Sequence, residues 1–391
     1  MAEAAPRQQE APASGVAGED ARDRADRNSR NASLTLALAQ PGDTLLYLLL
    51  PLHHAEYGVD LTGAGLLLAA NRLVRIAGYG WVARFYADRG ARAACLLAAL
   101  GALLATIGYA SLSGVWALLV ARLLWGLSFA AMNIATQALA TAEPAGAARR
   151  SGRMRALIAC GPVGGLVVGA IVSHFAGPRA AFVVLAGAAV IAFAFAARLP
   201  NTAEGRPQRL ARPRFGVPSR LDAWSFIQGM TLDGLFIIGI SILAAAAIPD
   251  YAALAAGAAL ALRYVAEILL GPAGGGLAER HGAQRVLMLL SVATAAGLAA
   301  IGVGWLWSGA ILVVVLRGLI QPIPAPIVAN QNPGRDRVPA LARLATWRDL
   351  GAGAGPLLAG ALLPILPHAT LYGGAALLLA VSAGAVGISR R

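Results

Sequence analysis

Long apolar runs separated by short polar segments occupy most of this chain. A hydrocarbon core of about 30 Å requires roughly 20 apolar residues in a helix that crosses it. Twelve runs of about that length can be counted, near residues 33–52, 61–83, 93–111, 113–138, 153–176, 179–197, 221–247, 251–274, 285–305, 307–330, 340–365 and 369–388. The pattern therefore predicts an all-α membrane protein with twelve transmembrane helices.

The first 32 residues differ from the rest, because charges alternate there and no apolar run is present. Without an apolar segment this stretch cannot act as a signal peptide. Its composition is typical of disorder. We therefore expect a disordered cytoplasmic tail over residues 1–32.

Composition agrees with the membrane assignment. Of the 391 residues, 58% are hydrophobic and only 13% are charged, which is too apolar for an ordinary soluble domain. The net charge of +13 would suggest nucleic acid in a soluble protein. Here the basic residues, all arginine, fall between apolar runs, so the positive-inside rule explains them and no nucleic-acid partner is expected. Cys95 and Cys160 lie at or in apolar runs and indicate neither a disulfide nor a metal site.

Arginine is distributed unevenly among the connecting segments. One set of turns is rich in it, including residues 149–155 and the long segment 199–220, whereas the opposite turns hold only Arg179. This asymmetry places both termini in the cytoplasm of a multi-pass protein of the plasma membrane, the inner membrane of a bacterium. Segment 199–220, rich in Pro and Arg, is the expected linker between two six-helix bundles, 33–198 and 221–391.

The two halves repeat one another. Arg72 precedes Asp88 by sixteen residues, and Arg263 precedes Glu279 by the same interval. Further pairs at offsets near 190–195 are Asp43 with Asp233, Arg122 with Arg317 and Gly161 with Gly355. A constant offset indicates a duplicated six-helix unit with pseudo-two-fold symmetry.

Three short motifs accompany the repeat. Residues 275–282 read Gly-Gly-Leu-Ala-Glu-Arg-His-Gly, whereas the first-half copy has Arg84 and Ala91 at the two glycine positions. Arg122 is followed four residues later by Gly126, and the fifth helix contains Gly161-Pro162. From about residue 33 onward, the chain resembles the major facilitator superfamily, in its drug/proton-antiporter-like form. The resemblance implies that helices 1, 4, 7 and 10 line a central cavity between two rocking halves.

Charged residues near the middle of the helices are the candidate site. An arginine at the bilayer centre costs about 2.5–3.5 kcal/mol on insertion scales, so such residues need partners or a function. The substrate-binding candidates are Arg72, Arg75, Arg122, Arg263 and Arg317. The proton-coupling candidates are Asp43, Asp233 and Glu267, with Glu267 favoured because the first half has no counterpart. The gating candidates are Asp88, Arg89, Arg92, Glu279, Arg280, Arg348 and Asp349.

A structural interpretation stands beside the functional one. Asp43–Arg122 and Asp233–Arg317 could be ion pairs that hold helices together, and Glu267 could pair with Arg263 four residues earlier. Arginines nevertheless outnumber carboxylates in this layer, which favours an anionic or zwitterionic substrate.

The sequence thus predicts a monomeric secondary transporter that exports a small organic solute in exchange for protons. Its partners are the solute, protons and the lipid bilayer. No catalytic residue, metal or cofactor is expected, and the protein is not expected to be an enzyme. An uptake symporter for an organic anion and a non-transporting receptor or scaffold remain the alternatives.

Overall fold

The structure, a computed structural model, describes residues 13–203, 218–247 and 252–387. Within these ranges the chain is helical and contains no strand. Each of the twelve apolar runs corresponds to a helix or a broken helix, which we number α1 to α12. Eight helices of the described part are long and apolar enough to cross a membrane.

The first six helices include two irregular ones. Helix α1 consists of Ala13–Ala39 and Pro41–Leu52, and Gly90 divides the run Leu61–Ser111 into α2 and α3 through its left-handed φ of 79°. The next three are α4 (Val115–Ala140), α5 (Ala147–Ala176) and α6 (Pro178–Ala196).

The second six begin at a capping box, in which Ser219 and Asp222 bind each other's backbone N–H. Helix α7 runs through Arg220–Gln228, a π-helical segment Gly229–Leu235 and Phe236–Ala247. Helix α10 is likewise broken, into Leu306–Ile320 and Pro324–Gln331. The others are α8 (Ala252–His281), α9 (Ala283–Gly302), α11 (Arg337–Leu362) and α12 (His368–Gly387).

The tail prediction is wrong for residues 13–32, which are helical as the start of α1; residues 1–12 lie outside the described residues. The reason is packing against α5. Ala25, Ser29 and Ala32 are buried, and Asp26 pairs with Arg150 at 3.6 Å and Arg153 at 3.4 Å. The alternating charges are therefore the polar face of an amphipathic helix. Most of the expected linker, residues 204–217, also lies outside the described residues, and the bundle boundaries stay a prediction.

Small residues bring the helices together. Gly161 of α5 packs on the backbone of Ala37, and Gly165 packs on Pro41, so a side chain at either glycine would collide with α1. Close backbone approach at small residues is typical of membrane helices. Gly161 of the Gly161-Pro162 motif, together with Gly165, therefore serves the packing of α1 on α5.

The two halves meet along α5–α8 and α2–α11. Some of the contacts lie on the linker side, which we define as the end of the bundle that carries Gly90, Gly282 and residues 199–203. There Gly146 N–H donates to Glu279 Oε1 at 2.9 Å, and Arg337 donates to the carbonyl of Thr141 at 3.1 Å. Deeper in the bundle, a Cβ on Gly271 of α8 would lie 3.0 Å from the carbonyl oxygen of Gly152 of α5.

Candidate functional site

Charged side chains that are buried or partly buried form one layer across the middle of the bundle, which we call the charged layer. Its members are Asp43, Arg72, Arg75, Arg122, Arg155, Asp233, Arg263, Glu267, Arg317, Arg348 and Asp349. They come from helices of both halves, so neither six-helix bundle contains the whole site.

In the N-terminal half, Arg122 is the centre of a closed network. Its guanidinium pairs with Asp43 and donates to the carbonyls of Leu67, at 3.0 Å, and Leu68, at 3.4 Å. It also donates to Tyr47 Oη at 3.2 Å. Arg122 is 0% exposed, and all these partners belong to its own half. The expected Asp43–Arg122 ion pair is present.

In the C-terminal half, Asp233 holds three arginines. Arg317 donates to it at 2.6 and 2.9 Å, and Arg348 donates at 3.0 and 3.2 Å. Arg263 is more distant, at 3.6 Å. Glu267 pairs with Arg317, whereas Arg263, the partner weighed from sequence spacing, makes its ion pair with Asp233. The expected Asp233–Arg317 pair is therefore one part of a larger network.

Asp43 and Asp233 each lie at an irregularity of their helix. Asp43 follows the break at Gln40–Pro41, where proline lacks the N–H that a continuous helix would use. Asp233 lies in the π-helical segment Gly229–Leu235 of α7, and such segments recur at functional sites. The two halves thus reach equivalent positions for aspartate by different backbone geometries.

Helices α2 and α11 contact each other through charged side chains. Arg75 pairs with Asp349, at 3.1 Å from Nε to Oδ2, and Tyr79 Oη donates to the same carboxylate at 3.0 Å. One turn away, Arg72 donates to the carbonyl of Ala352. Arg72, Arg75 and Tyr79 occupy one face of α2 at spacings of three and four residues. We call these contacts the α2–α11 latch.

Sequence reasoning missed Arg155 and Tyr79. Arg155 lies at the start of the fifth apolar run and counts with the arginines of the turn at residues 149–155, but α5 begins at Ala147 and carries Arg155 into the charged layer. There it lies within electrostatic range of Arg317, Arg348, Glu267 and Asp233. The helical spacing from Arg72 was the signal that could have identified Tyr79.

The other gating candidates lie on the linker side. Glu279 contacts the opposite half through Gly146, as described above, and Arg92 Nε donates to the carbonyl of Leu199 at 2.7 Å. Asp88, Arg89 and Arg280 are exposed at their turns. Arg348 binds within its own half, whereas its neighbour Asp349 contacts the other.

One further feature lies outside the layer. A cavity of about 240 Å³ opens on the linker side between α1 and α5, and its lining includes Asp26, Arg27, Arg30, Arg150 and Arg153. Within the described ranges, no three His, Cys, Asp or Glu side chains converge as metal ligands would.

Comparison with known proteins identifies the architecture. The family model for the Major Facilitator Superfamily matches residues 32–253. The crystal structure of the human organic anion transporter MFSD10 (TETRAN) superposes with a TM-score of 0.76 at 17% identity, over 93% of this chain and 99% of that one. The proton:xylose symporter XylE, bound to 6-bromo-6-deoxy-D-glucose, superposes at 0.70 with 13% identity, over 93% and 95%. No curated protein matches the sequence significantly.

Proposed function

The chain belongs to the Major Facilitator Superfamily, and from this premise we propose that it moves a small organic anion together with protons. It is a multi-pass integral membrane protein and a secondary transporter that works by alternating access, since members of the family are transporters rather than enzymes. The substrate class, the coupling ion and the direction are the parts proposed.

The charge balance of the layer carries the proposal. Seven guanidinium groups face four carboxylates there. Within the described residues, Arg72 and Arg155 have no carboxylate at ion-pair distance. A carboxylate or phosphate on the substrate can accept two parallel hydrogen bonds from a guanidinium, which makes an anion the natural partner.

A neutral solute fits this layer less well, because it would leave the excess positive charge in a low-dielectric site uncompensated. The name of MFSD10 describes that protein as an organic anion transporter, and that of XylE describes a proton:xylose symporter. Both likenesses concern the fold. The choice of an anion for this chain rests on its own arginines.

We assign to Glu267 the uptake and release of the coupled proton. It is buried, and its ion pair within the described residues is with Arg317, whereas Asp233 is held by three arginines. Protonating Glu267 therefore disrupts fewer contacts than protonating Asp233. A neutral Glu267 also releases a guanidinium N–H of Arg317 for another acceptor.

The same contact favours symport over the antiport expected from the sequence. An anion and the Glu267 carboxylate compete for Arg317, so a proton on Glu267 strengthens anion binding. By linkage, the anion strengthens proton binding by the same factor. Proton and anion then travel together. The Gly161-Pro162 motif, one of the three motifs behind the antiporter-like resemblance, is accounted for by the packing of Gly161 and Gly165 on α1.

The test is flux in proteoliposomes with benzoate, succinate, citrate and glycerol 3-phosphate as probe anions. An acidic exterior should drive at least one of them inward. Glu267→Gln should keep anion exchange within about 3-fold of the wild type, because the arginines remain, but should abolish pH-driven accumulation. Glu56→Gln, an exposed carboxylate paired with His53, is the matched control and should behave as wild type.

The direction of pH-driven flux separates the candidates. Outward anion movement under an acidic exterior would support proton antiport and overturn symport. Undiminished accumulation by Glu267→Gln would remove Glu267 as the carrier. No flux and no exchange of any probe anion would count against an anionic substrate and favour the receptor or scaffold alternative.

A further inference from the structure

We propose that Arg155 is an anion ligand that the N-terminal half contributes to a site shared with Arg263 and Arg348, and that it blocks closure of a carrier holding a proton but no anion. The inference rests on the proposed function, because it names the residue that couples the anion to the proton.

Position is the first argument. Arg155 lies on the face of α5 that meets α8, where its Cβ is 3.6 Å from the place that a side chain on Gly271 would occupy. One turn before Arg155, toward the linker side, Gly152 of α5 contacts the backbone of Gly271, because neither glycine has a side chain that would separate the two helices. When the halves close on the linker side, Arg155 is carried against the C-terminal charges.

The second argument is that Arg155 lacks a partner. Its Nε is buried without a hydrogen-bond acceptor. Among the described residues, no carboxylate lies within ion-pair distance of its guanidinium. The nearby carboxylates, Asp233 and Glu267, are already bound by Arg317, Arg348 and Arg263. A guanidinium whose Nε is buried without an acceptor is costly, so the site is incomplete as the protein alone provides it.

The third argument is the charge that closure brings together. Arg155, whose Cβ lies beside Gly271 of α8, is within electrostatic range of two cationic groups of the C-terminal half, Arg348 and Arg317. Like charges in a low-dielectric environment repel strongly. When Asp233 and Glu267 are both ionised, their negative charges offset this repulsion. A carrier that holds neither proton nor anion can therefore close. An anion between Arg155 and the C-terminal arginines offsets the repulsion as well.

A coupling rule follows from these charges. If Glu267 takes up a proton and no anion is bound, four arginines face the single charge of Asp233, and closure is opposed. Binding of the anion restores the balance, and the carrier with both ligands closes. Arg155 thereby prevents protons from crossing without the anion, which is the requirement for tight symport.

The experiment measures proton entry into proteoliposomes that contain a trapped pH dye, with a bulky sulfonate buffer as the only anion and valinomycin to compensate charge. Proteoliposomes that contain the wild-type protein should admit protons very slowly. Arg155→Gln should admit protons about 10-fold faster or more, within the usual range of coupling energies. Arg155→Lys keeps the charge without the planar fork, so it should stay sealed but bind the probe anions more weakly.

Arg153→Gln is the matched control. It lies two residues away on the same helix, but its side chain is 60% exposed and pairs with Asp26. It should show neither a leak nor a loss of anion affinity. Size-exclusion profiles of all variants in detergent establish that they are folded before flux is compared.

The possible results separate the two proposals. A sealed Arg155→Gln variant with wild-type affinity for the probe anions would overturn the role of Arg155, while leaving symport intact. Wild-type protein that shows no pH-driven flux of any probe anion would overturn the proposed function, and the coupling role would fall with it. A leak in Arg155→Gln and in Arg155→Lys alike would assign Arg155 to packing rather than to charge.

Discussion

The two halves hold equivalent arginines by different means. Arg122 in the N-terminal half is bound by one carboxylate, two backbone carbonyls and Tyr47. Arg317, its symmetry mate, is bound by two carboxylates, Asp233 and Glu267. One network relies largely on neutral acceptors, and the other relies on charged ones.

The difference determines which half can respond to protons. A backbone carbonyl keeps its hydrogen bond over the whole physiological pH range, so most of the Arg122 network is insensitive to pH. A carboxylate loses its charge when protonated, and the ion pairs that it makes weaken. The duplication thus supplied two equivalent arginines with different neighbours. Arg122 is a structural centre whose contacts are largely insensitive to pH, whereas the ion pairs of Arg317 are candidates for a proton-dependent change.

Asp233→Asn should have the largest effect on stability and transport among the variants that test this difference between the halves. It removes the charge that holds Arg263, Arg317 and Arg348, and uncompensated buried charge costs about 3–5 kcal/mol. We expect loss of transport and a clearly lower thermal midpoint in detergent. Asp43→Asn should cost less, about 1–3 kcal/mol, because the carbonyls and Tyr47 still bind Arg122.

Thermal unfolding followed by tryptophan fluorescence compares the two variants directly. Equal destabilisation, or a larger effect for Asp43→Asn, would contradict the view that the N-terminal network is held mainly by neutral acceptors.

Asp349→Asn tests the link between the halves and should have an intermediate effect. It weakens the α2–α11 latch by removing the charged partner of Arg75 and by leaving one acceptor oxygen for Arg75 and Tyr79 in place of two. Both charged side chains are partly exposed, so we expect a cost of about 1–2 kcal/mol in the closed state. The linker side should open more often. Faster maleimide labelling of a cysteine introduced at Gly353, which faces Arg72, would report this opening.

Tyr79→Phe is a milder variant with which the labelling of Asp349→Asn can be compared. It removes a single hydrogen bond of 3.0 Å and leaves the Arg75–Asp349 ion pair in place. Labelling should rise less than in Asp349→Asn. Unchanged labelling in both variants would show that the latch does not hold the linker side closed.

Tyr47→Phe should have the smallest effect. It removes one of several acceptors of Arg122, worth about 0.5–1.5 kcal/mol. Because no titrating carboxylate is altered, the pH dependence of transport should match that of the wild type. A displaced pH profile would place the N-terminal network in the proton pathway and abolish the contrast between the halves.

Much of the architecture could be predicted from the chain alone. Hydropathy is a local property, so runs of about 20 apolar residues located the membrane-spanning part of each of the helices α1 to α12 among the described residues. The repeat related Asp43 to Asp233 and Arg122 to Arg317, and position along each helix placed them at a common depth. The family followed from the same residues. Local patterns failed at residues 13–32, where charges on one helix face resembled a disordered tail.

The partners of each charge required the tertiary structure. Depth restricts which residues can meet, but pairing depends on the rotation of each helix about its axis and on which helices are neighbours. Arg75 and Asp349 are separated by 274 residues, and nothing in the spacing of either joins them. Arg155 looked like part of a basic turn until α5 packed against α8. The sequence determined that a layer of charge lies within the membrane, whereas only the packing of the two halves decided which arginines lack a carboxylate.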